Sequence, residues 1–185
     1  MEIDINQKEI SIGDKYQIFI DGSQTYSATR QLFQLLPEIN LFSFESERPR
    51  MKINKLFSWP NAKYNITRWD NNILEFRTKS FWKYQYQCQC GTDFYEIYGH
   101  LGRKFSIFKN DIQIAWWDKK AVSWFAGDNY KIIAENNCDK DLVISFCIII
   151  DNFYNDNHDG NMVNFDFGNL GFNLKKFDHD WQPKS

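Results

Sequence analysis

The chain has 185 residues, a net charge of −2 and a pI near 5.9. That length supports one domain with a full core, and that charge excludes a protein held on nucleic acid or an acidic membrane by its global field. Aromatic residues make up 18% of the chain, which suits a sheet-rich fold with bulky filler.

Residues 1–47 are expected to form an N-terminal extension, a strand plus a short helix, packed on the main domain. "YQIFID" (16–21) alternates and ends at Gly22, which reads as a strand and turn. Ser27 precedes "ATRQLFQLL". There Leu32, Phe33, Leu35 and Leu36 share a helical face and Pro37 ends it, so a helix is predicted.

From Met51 the hydrophobic period becomes two. "MKINKLF" and "KYNITRW" alternate, "WDNN" (69–72) turns, and "ILEFRTKSFWKYQYQCQC" follows as one long strand or two. Further strands are "FYEIYGH", "KFSIFK", "IQIAWWDKKAVSWF" and "YKIIAEN", with turns at 91–93, 110–111 and "AGDN". Six to eight strands at meander spacing predict a sheet that curls or closes. Segments 71–87 and 110–127 resemble each other, either as a duplicated unit or as two ordinary hairpins.

The apolar run "LVISFCIIID" (142–151) decides the architecture. Its core is Leu142, Val143, Ile144, Phe146, Cys147, Ile148, Ile149 and Ile150. The β-branched content favours a strand. The length does not, because apolar character resumes at Phe153 and Tyr154. Asp139 can cap a helix and Asp141 suits its first turn. A helix apolar on all sides must be surrounded. About 13 helical residues span about 20 Å, short of the roughly 30 Å bilayer core, so no transmembrane span is expected. A sheet that closes and a helix that needs a jacket fit each other: the helix, at about 140–154, plugs the barrel.

The pattern "ITRWDNNILEFRTKSFWKYQYQC…GRKFSIFKNDIQIAWWDKKAVSWFAGDNYKI", followed by the apolar segment, resembles the LURP-one-related proteins of the tubby C-terminal-like superfamily, with the phospholipid scramblases as relatives. The resemblance covers residues 48–155. It implies an all-β closed antiparallel barrel of about twelve strands around one buried C-terminal helix, with 156–185 as a polar tail. It carries no catalytic motif and implies a non-enzymatic protein without a cofactor.

Charge is unevenly placed. Residues 48–83 hold nine Lys or Arg against Asp70 and Glu75, between two acidic flanks. Such a segment either pairs internally or forms an anion-binding face. Tubby is similar in fold and recognises phosphoinositide headgroups through basic side chains on the barrel wall. The resemblance therefore implies anionic phospholipid headgroups, or a protein partner, as ligands for Lys52, Lys55, Lys63, Arg68, Arg77 and Lys79, with Lys83 beside them. The alternatives are a calycin-like barrel holding a small apolar ligand and a membrane-associated, scramblase-like protein.

Other chemistry reads weakly. "NDNHDGNMVNFD" (155–166) approaches a calcium loop through Asn155, Asn157, Asp159 and Asp166, but its first position is not Asp and its last is the short Asp. An Asn-, Asp- and Gly-rich exit loop is the stronger reading. His158 and Asp159 are adjacent, which makes no catalytic dyad. Trp59, Tyr64, Trp69, Phe81 and Trp82 interleave with bases as in single-strand binders, yet aromatics at period two are core, and no nucleic-acid partner is expected. Cys88, Cys90, Cys138 and Cys147 lack zinc spacing, so no metal is expected. "MEIDINQKEIS" has neither a basic nor an apolar leader segment, so a reducing cytoplasm is expected, with at most peripheral membrane contact.

Overall fold

The computed structural model describes residues 1–10, 13–31, 36–58, 60–80, 84–100, 104–118, 129–157, 175–178 and 180–184. Twelve strands run in chain order: β1 (Glu2–Ile10), β2 (Gly13–Ile20), β3 (Ser23–Gln31), β4 (Glu38–Ser43), β5 (Pro49–Lys55), β6 (Lys63–Arg68), β7 (Ile73–Ser80), β8 (Gln85–Cys90), β9 (Asp93–His100), β10 (Lys104–Lys109), β11 (Ile112–Asp118) and β12 (Asn129–Ala134), followed by α1 (Lys140–Asn157). Every strand pairs antiparallel with its sequence neighbour, and β12 returns to β1, closing the barrel. Closure leaves no edge strand to aggregate.

The first 47 residues are not an appendage. They supply β1 to β4, and the ladders β1–β12 and β4–β5 bind both sides of this segment into the barrel. The helix expected after Ser27 is a strand through Gln31, with Tyr26 and Ala28 buried at period two. Pairing with β2 on one side and β4 on the other overrides the local helical spacing. Residues 32–35, which carried that spacing, lie outside the described residues.

Turn chemistry follows composition. Asp21, Asn71, Asn110 and Asp111 take positive φ, where Asp and Asn cost least. The long aromatic segment 73–90 is two strands, with Tyr84 at φ +47° before β8.

The helix occupies the bore. Every residue from Asp141 to Phe153 is buried, and one apolar cluster joins Leu142–Ile150 to inward side chains of the surrounding strands. Phe146 packs against Phe76 (5.7 Å between centroids) and Tyr95 (5.6 Å). Fully burying side chains of this size is worth about 1.5–3 kcal/mol each before entropy. Polar side chains tie the helix to the barrel toward both ends. Asp139 accepts the Leu142 N–H at 3.1 Å as its cap. Near the other end Tyr130 donates to Asp151, Asn152 Nδ2 donates to the Tyr16 hydroxyl at 2.9 Å, and Tyr86 donates to the Tyr154 hydroxyl at 3.2 Å.

Candidate functional site

Strand parity divides the six basic residues singled out in the sequence. Met51 and Ile53 face the core from β5, Tyr64 and Ile66 from β6, and Leu74 and Phe76 from β7. Side chains alternate, so Lys52, Lys63, Arg77 and Lys79 project outward. Lys55 and Arg68 share the parity of the core residues and sit at the ends of their strands. The set is four plus two, not one cluster.

The outward four are spread over three strands, with Lys52 four positions along β6 from the Lys63–Arg77 rung. Lys63 pairs in register with Arg77, and Lys52 with Thr67. Like charges opposite each other repel, and Glu75 relieves this, with Lys63 Nζ at 3.0 Å and Arg77 Nη1 at 3.9 Å. Gln87, with its amide oxygen turned toward Arg77, accepts from Nε and Nη2 at 2.7 Å. Lys79 reaches over β8 to Glu96 at 2.9 Å, where Gln85 also donates at 3.3 Å. Four bases against Glu75 and Glu96 leave this face positive. At its end Trp69 (72% exposed) and Ile73 (62% exposed) stand free of the core, with Ile73 in register with Thr67.

Arg68 belongs to a different arrangement, at the barrel end where α1 enters. It pairs with Asp139, while Arg50 Nε donates to Asp141 Oδ2 at 2.8 Å. Arg50 was not among the residues singled out, although it lies in the same basic segment. Burial pushes the Tyr26 phenol up to about 12, and the Asp141 charge adds to this. These residues fasten the helix, and nothing in their geometry offers an open anion seat.

Other expectations fall as follows. The helix runs through Asn157, so Asn155 and Asn157 lie on helical backbone, while Asp159, Asp166, His158, Lys83, Trp59, Phe81 and Trp82 lie outside the described residues. Tyr64 is core. Among the described residues no group of three or more His, Cys, Asp or Glu could hold a metal ion. The four cysteines are free, and burial pushes the Cys88 thiol up to about 12 and the Cys138 thiol up to about 11. Among the described residues no helix is long and apolar enough to cross a membrane, which says nothing of strands.

Residues 1–151 match the sequence profile of the LURP-one-related family. The chain belongs to the LURP-one-related family. The match begins at residue 1 and takes in β1 to β4, in agreement with their place in the barrel wall. Searches of curated proteins and of solved structures give no significant match.

A second surface on this LURP-one-related barrel was not legible in the sequence. The outward residues of β9 and β10 are buried: Glu96, Tyr98, Ser106 and Phe108 are each 9% exposed or less. The chain's own C-terminal residues lie over Tyr98 and Phe108, while Glu96 is held by Lys79 and Gln85. Lys175 Nζ lies 2.7 Å from Asp111 Oδ1 and 4.1 Å from the Phe108 ring centroid. Phe177 stands edge-on to His100 (5.1 Å) and Trp116 (5.5 Å), under the Lys104 ammonium (5.2 Å).

Proposed function

We propose that this LURP-one-related protein is a non-enzymatic, cytoplasmic binding module. It works through its outer wall and engages anionic phospholipid headgroups on the face of β5–β7. The supporting observation is that Lys52, Lys63, Arg77 and Lys79 all project outward from β5–β7, with exposed Trp69 and Ile73 at the Lys52 end. A basic face draws an anionic surface, and an exposed Trp suits the headgroup level. Arg77 can grip a phosphate through its fork, and Lys52 adds a point charge. The partial pairing with Glu75 and Glu96 makes the attraction modest and salt-sensitive.

An internal ligand is disfavoured on physical grounds. The bore that a small apolar molecule would need is filled by α1, and close-packed interiors have no room to spare.

Vesicle pelleting tests the reading. Vesicles carrying phosphatidylserine or phosphoinositide should retain the protein better than phosphatidylcholine alone. Each base near an anionic surface contributes about 1 kcal/mol. Lys52→Ala with Arg77→Ala should therefore lower retention by on the order of tenfold or more. Equal retention on neutral and anionic vesicles, or no change in the double variant, sinks the proposal.

A further inference from the structure

On the outer wall, Lys175 and Phe177 pack against side chains of β9–β11. Elsewhere on the wall, outward residues such as Lys52, Glu75 and Arg77 are exposed. On β9 and β10 the outward Tyr98 and Phe108 are buried and stand edge-to-face at 5.6 Å. They make a floor with two distinct seats.

The first seat takes a cation. Asp111 supplies a carboxylate at 2.7 Å from Lys175 Nζ, and Phe108 and Tyr98 present rings at 4.1 and 5.9 Å. A carboxylate beside two aromatic faces is a recognition set for an ammonium. The Lys175 ion pair and charge hold the Asp111 carboxyl below its usual range. The second seat takes an aromatic ring, between His100, Trp116 and Lys104. His100 is itself oriented by Ser106 Oγ at 2.7 Å from its Nε2. Beyond the two seats, the Lys184 N–H donates to Glu135 Oε2 at 2.8 Å, so the covering segment is fixed again near the start of α1.

Lys175 and Phe177 are separated by one residue, so both seats are filled from one short stretch of chain. We infer that the outer face of β9–β11 is a docking groove for a partner peptide carrying a lysine two positions before an aromatic residue, and that residues 175–184 occupy it as a built-in competitor. The occupant's chemistry is set by the seats: a primary ammonium for Asp111 and Phe108, and a ring for His100 and Trp116. The groove adjoins the basic face through the Lys79–Glu96 pair at 2.9 Å, and its two seats use none of Lys52, Lys63 and Arg77.

The test uses the full chain and a fluorescent peptide copying residues 175–184. A resident segment that fills a groove nine-tenths of the time lowers the apparent affinity of a competitor about tenfold. Unseating it with Lys175→Ala and Phe177→Ala should therefore tighten peptide binding about tenfold over the native chain, read by fluorescence polarisation. A peptide with its first lysine, the copy of Lys175, changed to Glu should lose that binding. The same Glu peptide should regain it on a chain that also carries Asp111→Lys, an exposed position whose positive φ makes the melting transition a necessary control. Equal binding to the native and unseated chains overturns the inference, as does failure of the charge swap in a variant with an unchanged melting transition. A native dimer abolished by Phe177→Ala would also overturn it, by assigning the groove to a second copy.

Discussion

Arg50 and Asp141, 91 positions apart in the chain, meet at the mouth of the barrel, with both Nε and Nη2 of the guanidinium 2.8 Å from the same carboxylate oxygen. Two residues earlier Asp139 pairs with Arg68 and caps α1 through the Leu142 N–H. The helix dipole favours acids at this end, and partial burial raises the cost of leaving either partner alone. The hydrogen bond to Asp141 raises the Arg50 pKa. Burial opposes the Arg68 charge, and the hydrogen bond and charge of Asp139 outweigh it.

Asp139→Ala therefore removes two things at once. The cap is worth about 1 kcal/mol, and Arg68, with its side chain 21% exposed, loses its partner. A combined loss of about 2–3 kcal/mol is expected from urea unfolding. Asp139→Asn keeps a capping oxygen and gives up only the charge, so its loss should be smaller. Equal losses in the two variants would show that the cap contributes nothing.

Phe146→Ala tests the plug. The side chain is fully buried against Phe76 and Tyr95 from two different strands. Truncation leaves a cavity that a closed barrel collapses poorly, so about 3–5 kcal/mol should be lost. A loss under about 1 kcal/mol would mean that the wall closes without the helix.

Much of this fold was readable because its strongest signal has few physical solutions. The β-branched run from Leu142 to Ile150 suits a strand as well as a helix, and its length, the acids Asp139 and Asp141 ahead of it and the family resemblance together favour a jacketed helix. The first four strands were harder. β3, "SQTYSATRQ", buries only Tyr26 and Ala28 fully, and the apolar spacing downstream of it outweighs so weak an alternation. In the basic segment, parity alone separates Lys52 from Lys55 and aligns Arg68 with Tyr64 and Ile66. The partners Glu75, Glu96 and Asp139 depend on register and closure, which no local window contains. The covering segment "KKFDHDW" has no periodicity, and its role exists only against a wall built from strands far upstream.

Thiol labelling should separate the cysteines. Burial holds the Cys88 thiol up near 12, with the neighbouring Cys90 adding to the shift, and Cys147 is buried within α1. A thiol without thiolate character at neutral pH reacts slowly. Native protein with a neutral disulfide reagent should leave Cys88 and Cys147 unmodified, while all four react in denaturant. Fast native labelling at Cys88, mapped by mass spectrometry, would contradict the closed wall at β8.

Glu38 gives a pH dependence with a definite sign. The Asn40 amide donates to Oε1 and the Asn54 amide to Oε2, both at 2.8 Å. The Asn40 bond is the larger influence holding the carboxyl below its usual value of 4.5. A group depressed in the folded state stabilises above its unfolded pKa and loses that contribution as pH falls through the folded value. The stability gap between native protein and Glu38→Gln should thus be present at pH 6 and shrink below about pH 4. A gap that widens on acidification would reverse the assignment.

Gly99 and Tyr84 touch so closely that they should behave as one unit. A Cβ built on Gly99 would lie 2.6 Å from Tyr84 Cβ and 3.1 Å from Phe105 Cε1. The Gly99 N–H donates to the Tyr84 carbonyl at 2.8 Å, so the backbones cannot separate without breaking that bond. Gly99→Ala should cost about 1–3 kcal/mol through overpacking. Tyr84 holds φ at +47°, where glycine is at ease. Tyr84→Gly removes the clashing Cβ and relieves that backbone, while losing the ring contact with Tyr154 at 5.8 Å. In the double variant the alanine should cost markedly less than it does alone, giving a favourable coupling of about 1 kcal/mol in a double-mutant cycle. Strict additivity would show that the clash is absorbed by Phe105 instead.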